Sequence, residues 1–464
     1  MLLPQKIKTK HHLSRPLYQP QQFPIMLRAV LAVALTVALS SWFTILLRTS
    51  TSDTLGLEFD LSESSHSTGR LQILANQTSK SDNHSSSYSN FSNSDALLWI
   101  KTEEAPFSHI DHGPYHDCGL FIAEFEIMMQ NLKIYVYPDA LMNGSRSSPF
   151  SPIFLPHPDP FHPRIGNYFS EHMFKVALFQ SSLITPYPEE AHLFFLPFSI
   201  NLLRNDPLVH SEVSISEFVA QYTAKISRNY KFWNASAGSD HFYVLCHSIG
   251  REAASMFHDL HNNAIQVSCS SSYFQRYYVA HKDVGLPQVW PRPPDKAVSP
   301  PDARHRLVYF AGRVQNSRIR QALVVQWGND TDMDIFSTSP SFSYEEGFRR
   351  SKYCLHIRGY EVNTARISDA IHFGCIPVII SNYYDLPFAN VLNWSKFSVI
   401  IRHEEIAFLK KRLLSITRLV YLNMYHNLKQ VRRHFVWHRK PKGYDAFHMT
   451  AYQLWLRRKH KLFY

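Results

Sequence analysis

The order of apolar and polar residues divides the chain into regions that cannot share one kind of structure. From Ile25 to Leu47 the sequence reads IMLRAVLAVALTVALSSWFTILL, and the part from Ala29 to Leu47 carries no charge. That is the length of a helix crossing a bilayer core, which takes about 20 apolar residues. A cleaved signal peptide has a shorter apolar region, about 7 to 15 residues, ending in small side chains, whereas this run closes on bulky Trp42 and Phe43. Lys6, Lys8, Lys10, Arg15 and Arg28 come before or open the run with no acidic residue among them, while Asp53, Glu58, Asp60 and Glu63 follow it. The positive-inside bias then leaves residues 1–24 as a cytosolic tail, makes 25–47 an uncleaved transmembrane signal-anchor and places everything beyond it in the lumen.

From Thr49 to about Asn93 the pattern collapses into Ser, Thr and Asn, as in SESSHSTGR and SDNHSSSYSNFSNSD. Such a stretch buries too little apolar surface to offset chain entropy, so residues 48–105 are expected to form a disordered stem. Apolar periodicity resumes with LFIAEFEIMMQNL as a helix, followed by KIYVYP as a strand. The alternation continues through YFSEHMFKVALFQS (helix), AHLFFLPFSI (strand), ISEFVAQYTAKISRNY (helix), HFYVLCH (strand) and NAIQVSCSS (strand). Strands alternating with helices predict a parallel α/β sheet.

A proline-rich segment from Leu286 to Arg306 interrupts the alternation and reads as an interdomain linker. A second α/β unit follows: RLVYFAG (strand and turn), SRIRQALVVQW (helix), KYCLHI (strand), TARISDAIHF (helix) and CIPVII (strand). The expected boundaries are 106–295 for an N-terminal domain, 296–403 for a C-terminal domain, and 404–464 for basic C-terminal helices packing back on the N-terminal domain.

Composition fits this picture: 45% of the 464 residues are hydrophobic and 14% aromatic, as in a folded globular chain. The formal charge of +11 gathers at the two ends of the chain, and without a zinc-finger spacing or an aromatic RNA-binding signature it does not indicate nucleic acid. The five cysteines, Cys118, Cys246, Cys269, Cys354 and Cys375, suit pairing in an oxidising lumen, and their odd number leaves at least one over. No C-x-x-C pair is matched by a second one, so a structural zinc site is not expected. Asn76, Asn83, Asn90, Asn143, Asn234, Asn329 and Asn393 head N-x-S/T sequons, which are glycosylated only on the lumenal side.

The most informative stretch is SKYCLHIRGYEVNTARISDAIHFGCIPVIISNYYDLPF, parsed as strand, loop, helix, strand. Its helix is expected to be capped by Asn363 or Thr364 and to stop at Gly374. A loop entering a helix N-terminus favours a phosphate, and Arg366 adds charge there. Asp369, one turn deeper, is placed to accept hydrogen bonds from ribose hydroxyls. The competing reading makes Arg366 and Asp369 an exposed ion pair on a helix surface. Asp332 and Asp334 in NDTDMDI form a D-x-D pair of the kind that binds a metal and a nucleotide sugar, but they follow the polar WGNDT and read as a surface loop.

This segment resembles the C-terminal signature of the exostosin-like glycosyltransferases, glycosyltransferase family 47, most closely the plant members. The resemblance extends through GNYFSEHMFKVALFQSSLITPYPEEAHLFFLPFS, FWNASAGSDHFYVLCHSIG, AHKDVGLPQVWP and LVYFAG to LNWSKFSVII, most of the presumed lumenal chain. It implies a GT-B architecture of two Rossmann-like domains facing a cleft, an inverting and metal-independent transfer, and no cofactor beyond a nucleotide-sugar substrate, a UDP-sugar. The donor would be held by Arg320, Gly359, Arg366 and Asp369. The base that takes the acceptor's proton would come from the polar segment GSDHFYVLCHSIG, with Asp240, His241 and His247 as candidates.

The resemblance further implies a single-pass type II protein of the Golgi membrane that transfers a sugar to a wall polysaccharide, pectin or hemicellulose, alone or with other Golgi glycosyltransferases. Where the common plant form reads C-H-D-W-G this chain has CHSIG at Cys246 to Gly250, C-P-S-G becomes CLHIRG, and Asp369 stands where Glu is usual. Those departures keep open a second reading, a noncatalytic lumenal subunit. A sulfotransferase is disfavoured because no G-x-x-x-x-G-K-[ST] loop occurs.

Overall fold

The computed structural model describes residues 113–137, 151–157, 159, 162, 165–274, 276–291 and 298–459. The cytosolic tail, the apolar span 25–47 and the stem 48–105 lie outside these residues. Among the described residues no helix is long and apolar enough to cross a membrane.

Strands here are short apolar runs without alternation, the pattern of strands covered on both faces. β1 (Ile134–Val136), β2 (Leu193–Phe195), β3 (His241–Leu245), β4 (Ile265–Ser268) and β5 (Val284–Gly285) form one sheet in that order, with every pairing parallel. Helices α1 (Cys118–Asn131), α2 (Phe169–Phe179) and α3 (Glu212–Asn229) belong to this N-terminal half. Each of these helices lies within two to three residues of its sequence expectation.

The second sheet contains β6 (Arg306–Ala311), β7 (Met333–Phe336), β8 (Ser351–Ile357), β9 (Ile376–Ile380) and β10 (Val399–Ile400), ordered β10-β9-β8-β6-β7 and parallel throughout. The chain thus passes from β6 to β7 on one side and returns to β8 on the other. That reversal opens a crevice at the carboxyl ends of β6 and β8, where open α/β sheets bind their ligands. Helices α4 (Arg318–Trp327), α5 (Tyr344–Arg350) and α6 (Arg366–Phe373) connect these strands. Two parallel-sheet α/β units are the arrangement that GT-B denotes.

Two expectations are corrected here. The D-x-D segment is not a surface loop: Met333 opens β7, and Asp334 is buried between Arg306 (2.9 Å) and Arg350 (2.7 Å), while Asp332 meets Lys410 at 2.7 Å. The α6 cap is neither Asn363 nor Thr364. Ala365 is the N-cap without a side-chain hydrogen bond, Asn363 donates to Gln288 Oε1 at 2.7 Å, and Thr364 Oγ1 accepts from Arg366 N–H at 3.3 Å. The expected stop holds, with Gly374 in the left-handed region at φ 72°.

The proline-rich segment separates the sheets in sequence, yet its end is fastened. Buried Arg304 donates to the carbonyls of Phe348, Ser351, Phe373 and Ser299, at 2.5 to 3.1 Å. Disulfides Cys246–Cys269 and Cys354–Cys375 tie β3 to β4 and β8 to the start of β9, leaving Cys118 as the free thiol. Of the C-terminal helices, Leu409–Leu414 and α7 (Arg418–Val431) pack with the second sheet's elements. Helix α8 (Ala446–Lys459) packs against the first, where Phe447 meets Phe174, Tyr452 donates to Glu124 at 2.8 Å and Arg457 donates to the Asp283 carbonyl.

A strap also joins the halves. Loop 271–274 after β4 pairs antiparallel with 383–385 after β9, through a Ser272–Tyr384 bridge and hydrogen bonds from Tyr273 N–H to the Tyr383 carbonyl (2.9 Å) and from Asp385 N–H to the Ser271 carbonyl (3.1 Å). The Asp385 carboxylate accepts from the hydroxyls of Tyr273 (2.8 Å) and Tyr278 (2.5 Å).

Candidate active site

The switch point between β6 and β8 is built around arginines. Arg366, at the first position of α6, donates Nε and one terminal nitrogen to the Ala311 carbonyl at 3.1 and 2.8 Å, capping the end of β6. Arg320, on α4, donates in the same forked way to the Ile357 carbonyl at the end of β8 (3.2 and 2.8 Å), and its other terminal nitrogen reaches the Arg313 carbonyl at 2.9 Å. Phe310 lies between the two guanidinium groups, its ring centroid 5.3 Å from Arg366 and 5.8 Å from Arg320. Burial and the neighbouring Arg366 charge push the Arg320 guanidinium down to about 10, so it remains charged at neutral pH.

Glycine is required where these groups touch the strand ends. A Cβ on Gly312 would stand 2.4 Å from an Arg366 terminal nitrogen, and one on Gly359 would stand 2.8 Å from an Arg320 terminal nitrogen. Arg320 is 7% exposed and fixed on carbonyls, so it holds the crevice walls together. Arg366 is half-buried; exposed Arg313 and half-buried Arg358 follow the ends of β6 and β8, and their carbonyls accept from Arg320 and Ser317. Sequence reasoning passed over Arg313 and Arg358, although each directly follows or nearly follows a strand. Helix α4 is capped by Ser317, whereas the N-cap of α6, Ala365, offers no side-chain acceptor, and Thr364 takes only the Arg366 N–H. A helix start with open N–H groups beside an arginine is suited to hold an anion.

Asp369 is fully buried, so the surface ion-pair reading does not hold. Its carboxylate accepts from the Tyr344 hydroxyl at 2.8 Å. Helix α5 carries Tyr344 and went unread in the sequence, although Ser343 and Glu346 fit the S-x-x-E start signal and Ser343 accepts from the Glu346 N–H.

Across the cleft, Asp240, His241 and His247 do not form one cluster. Asp240 and His241 stand at the amino end of β3, and His247 follows its carboxyl end. From Asp240 to Cys246, at about 3.3 Å per residue, the strand puts about 20 Å between them. His241 is buried, sharing hydrogen bonds with Asp240 (2.7 Å) and the Tyr137 hydroxyl (2.8 Å). This polar knot is on the side of the sheet away from the crevice. The sequence showed a polar segment but not which end of its strand faces the ligand.

His247 stands at the crevice end, its ring 5.0 Å from Tyr168 and its Nδ1 accepting from the Ile249 N–H. Burial, followed by the Arg204 charge, lowers its pKa to about 4, so it is neutral at neutral pH. Its loop is anchored from below by Glu171 on α2, a buried carboxylate accepting from Cys246 N–H (3.0 Å), Asn201 N–H (3.3 Å) and the Ser199 hydroxyl (2.5 Å). Lys175, one turn on, donates to the carbonyls of Ile153 and Pro197, and burial lowers its pKa to about 7. The two halves meet at Glu361, which accepts from the Ser270 hydroxyl (2.6 Å) and lies 3.4 Å from Arg251. None of Glu171, Lys175 and Glu361 was singled out from sequence, because only the fold brings their helices and loops to the crevice.

The exostosin GT47 domain matches residues 128–416, which span both sheets. The Arabidopsis thaliana protein named "Probable glycosyltransferase At3g07620" is 32% identical over 381 residues, covering 78% of this chain and 77% of that protein. "Probable glucuronosyltransferase Os01g0926700" of Oryza sativa subsp. japonica is 28% identical, over 60% of this chain and 73% of its own. "Probable beta-1,4-xylosyltransferase IRX10L" of Arabidopsis thaliana is 29% identical, over 59% of this chain and 71% of its own.

Proposed function

The chain belongs to the exostosin GT47 family, and from that premise we propose that it is an inverting, metal-independent Golgi glycosyltransferase that moves a sugar from a UDP-sugar to a cell-wall polysaccharide, pectin or hemicellulose. The observation that carries the reading is the arginine-lined switch point, with Arg366 at its opening and Arg320 bracing its walls. Relatives named for glucuronosyl and xylosyl transfer favour a UDP-linked sugar as donor.

In this reading the acceptor hydroxyl attacks the anomeric carbon of the donor as the bond to the diphosphate breaks. The departing UDP takes the electron pair, and the hydroxyl proton passes to Nε2 of His247 once the ring gives up the Ile249 N–H contact and carries its own proton on Nδ1. Charge developing on the diphosphate is met by Arg366 and by the open N–H groups at the start of α6. Preorganised contacts of this kind contribute about 2 to 4 kcal/mol each at the transition state. The arginines supply the positive charge that a metal ion brings elsewhere, which supports metal independence. Asp369, fully buried, acts on the ribose side through Tyr344, whose hydroxyl it holds and whose ring is exposed, and Gly359 lets the β8 loop approach the donor closely.

Lumenal placement is supported by the apolar span and its charge bias, by two disulfides, and by the exposure of sequon residues Asn234 and Asn329. The same features support a single-pass type II anchor, which the proposal places in the Golgi membrane.

The test is thermal stabilisation by UDP, UDP-glucuronate, UDP-xylose and GDP, followed by sugar transfer to pectin and xylan oligosaccharides. UDP compounds are expected to raise the melting temperature of the wild type and not that of Arg366→Ala. A wild type that no nucleotide stabilises overturns the proposal. Stabilisation without transfer would favour the noncatalytic subunit, the reading to which the CHSIG departure points. Deglycosylation in the native host is expected to increase gel mobility; unchanged mobility counts against a lumenal stem.

A further inference from the structure

On the face opposite the crevice, at the amino ends of β6 and β8, lies a cavity of 270 Å³. Its lining is mixed: Leu307, Leu413, Leu414, Ile416 and Leu422 stand beside Tyr353 and Tyr421, with Asp302, Lys352 and Arg418 among them. Leu414 at its edge is 64% exposed, and Leu419 and Val420 on the adjoining turn of α7 are also exposed. Tyr421 is 7% exposed, and its buried hydroxyl has no hydrogen-bond partner among the described residues. Exposed Lys352 stands on the lining with Arg418, which pairs with Asp302 at 3.0 Å.

We propose that this cavity is the docking site for the chain's own segment Ala96–Glu104, ALLWIKTEE, with the Trp99 indole seated in it. The segment is a compact apolar cluster at the end of an otherwise Ser/Asn-rich stretch, which stem function alone does not require. Its chemistry matches the cavity point by point. The volume exceeds the roughly 150 Å³ that admits a benzene-sized ring. The indole N–H is a donor, and the Asp302 carboxylate on the lining accepts. Glu103 and Glu104, just beyond the apolar cluster, bring negative charge to Lys352.

The geometry of chain entry supports the same occupant. The first described residue, Gly113, lies against α7: a Cβ built on it would be 3.3 Å from Gln430 Oε1 and 3.8 Å from Asn427 Oδ1. Along that helix, at about 1.5 Å per residue, Tyr421 is only about 9 Å from Asn427. The chain from Ile100 to Gly113 spans up to about 45 Å when extended, so the segment reaches the cavity with slack. Docked there, it leaves the crevice clear on the other face.

Hydrogen exchange on the full-length protein tests this. In the wild type, amides 97–100 are expected to exchange at least about tenfold more slowly than an unprotected chain. Trp99→Ala is expected to return them to the unprotected rate, as is Leu422→Arg, with amides of β6 and β8 still protected in both. Exchange of 97–100 at the unprotected rate in the wild type overturns the proposal, as does protection that survives Trp99→Ala. Protection that grows with protein concentration would mean that a second copy's segment is the occupant, and would overturn the intramolecular reading.

Discussion

The two sheets share parallel pairing but differ in strand order, and that difference separates their chemistry. The N-terminal sheet runs β1 to β5 without a reversal, and its carboxyl ends carry one half-buried histidine over a buried carboxylate and lysine. The C-terminal sheet reverses between β6 and β8, and its carboxyl ends carry arginines set on strand carbonyls. A reversal leaves a gap that loops can line with charge, whereas a monotonic sheet presents a closed row of strand ends. The first suits a dianionic diphosphate and the second a neutral hydroxyl.

The sharpest way to break this division is to remove the single group that each half contributes. His247→Ala is expected to lower kcat by about 10² to 10⁴, the usual loss for a general base, while leaving UDP stabilisation intact. Equal loss of UDP stabilisation would contradict the assignment of His247 to the acceptor side. Arg366→Ala should act on the other half, lowering kcat/KM by about 10² to 10³ and abolishing nucleotide stabilisation. Both are read from initial rates with a UDP-sugar and melting curves with UDP.

Acid sharpens the comparison because each half holds a histidine kept neutral. Burial lowers His356 on β8 to about 3, with His247 near 4 on the other side. His356 is fully buried and hydrogen-bonded to Thr364 and the Val362 carbonyl, so its folded pKa lies below the unfolded value. The unfolded chain then binds the extra proton first. Its contribution is complete above pH about 6.5 and is lost as pH falls toward its folded value, by up to about 1.4 kcal/mol per pH unit. The melting temperature is expected to fall between pH 7 and 4.5, and His356→Gln should flatten that fall. An unchanged slope would remove His356 from the account.

Gly312→Ala is a finer probe. The added methyl would displace the Arg366 guanidinium, with a folding cost of about 1 to 3 kcal/mol, and should weaken UDP stabilisation more than it slows acceptor turnover. Asp240→Asn is expected to have the smallest catalytic effect, a kcat close to wild type with a stability loss of about 1 kcal/mol from the His241 hydrogen bond. A large loss of kcat there would return catalysis to the amino end of β3.

Most of this fold was legible because parallel strands announce themselves as unbroken apolar runs. HFYVL and IPVII are buried at every position, and the helices between them repeat with period 3.6. Strand β7 escaped because Asp334 interrupts its apolar run, and only the fold shows that Arg306 and Arg350 neutralise it. Arg366 and Asp369 could be singled out because one helix start carries both. The order β10-β9-β8-β6-β7 is a long-range property, and so is the meeting of Glu361 with Ser270, 91 residues away in sequence. The misplacement of Asp240 and His241 has the same origin: polarity marks both ends of a strand alike, and only its direction in the sheet tells them apart.

The strap between residues 271–274 and 383–385 gives this division a mechanical side. The halves are fastened at the strap and at the Glu361–Ser270 contact, so a relative turn that keeps both runs about the line joining them. Cutting the Tyr273 and Tyr278 hydroxyl contacts would loosen one end of that line without touching the groups that carry out the reaction.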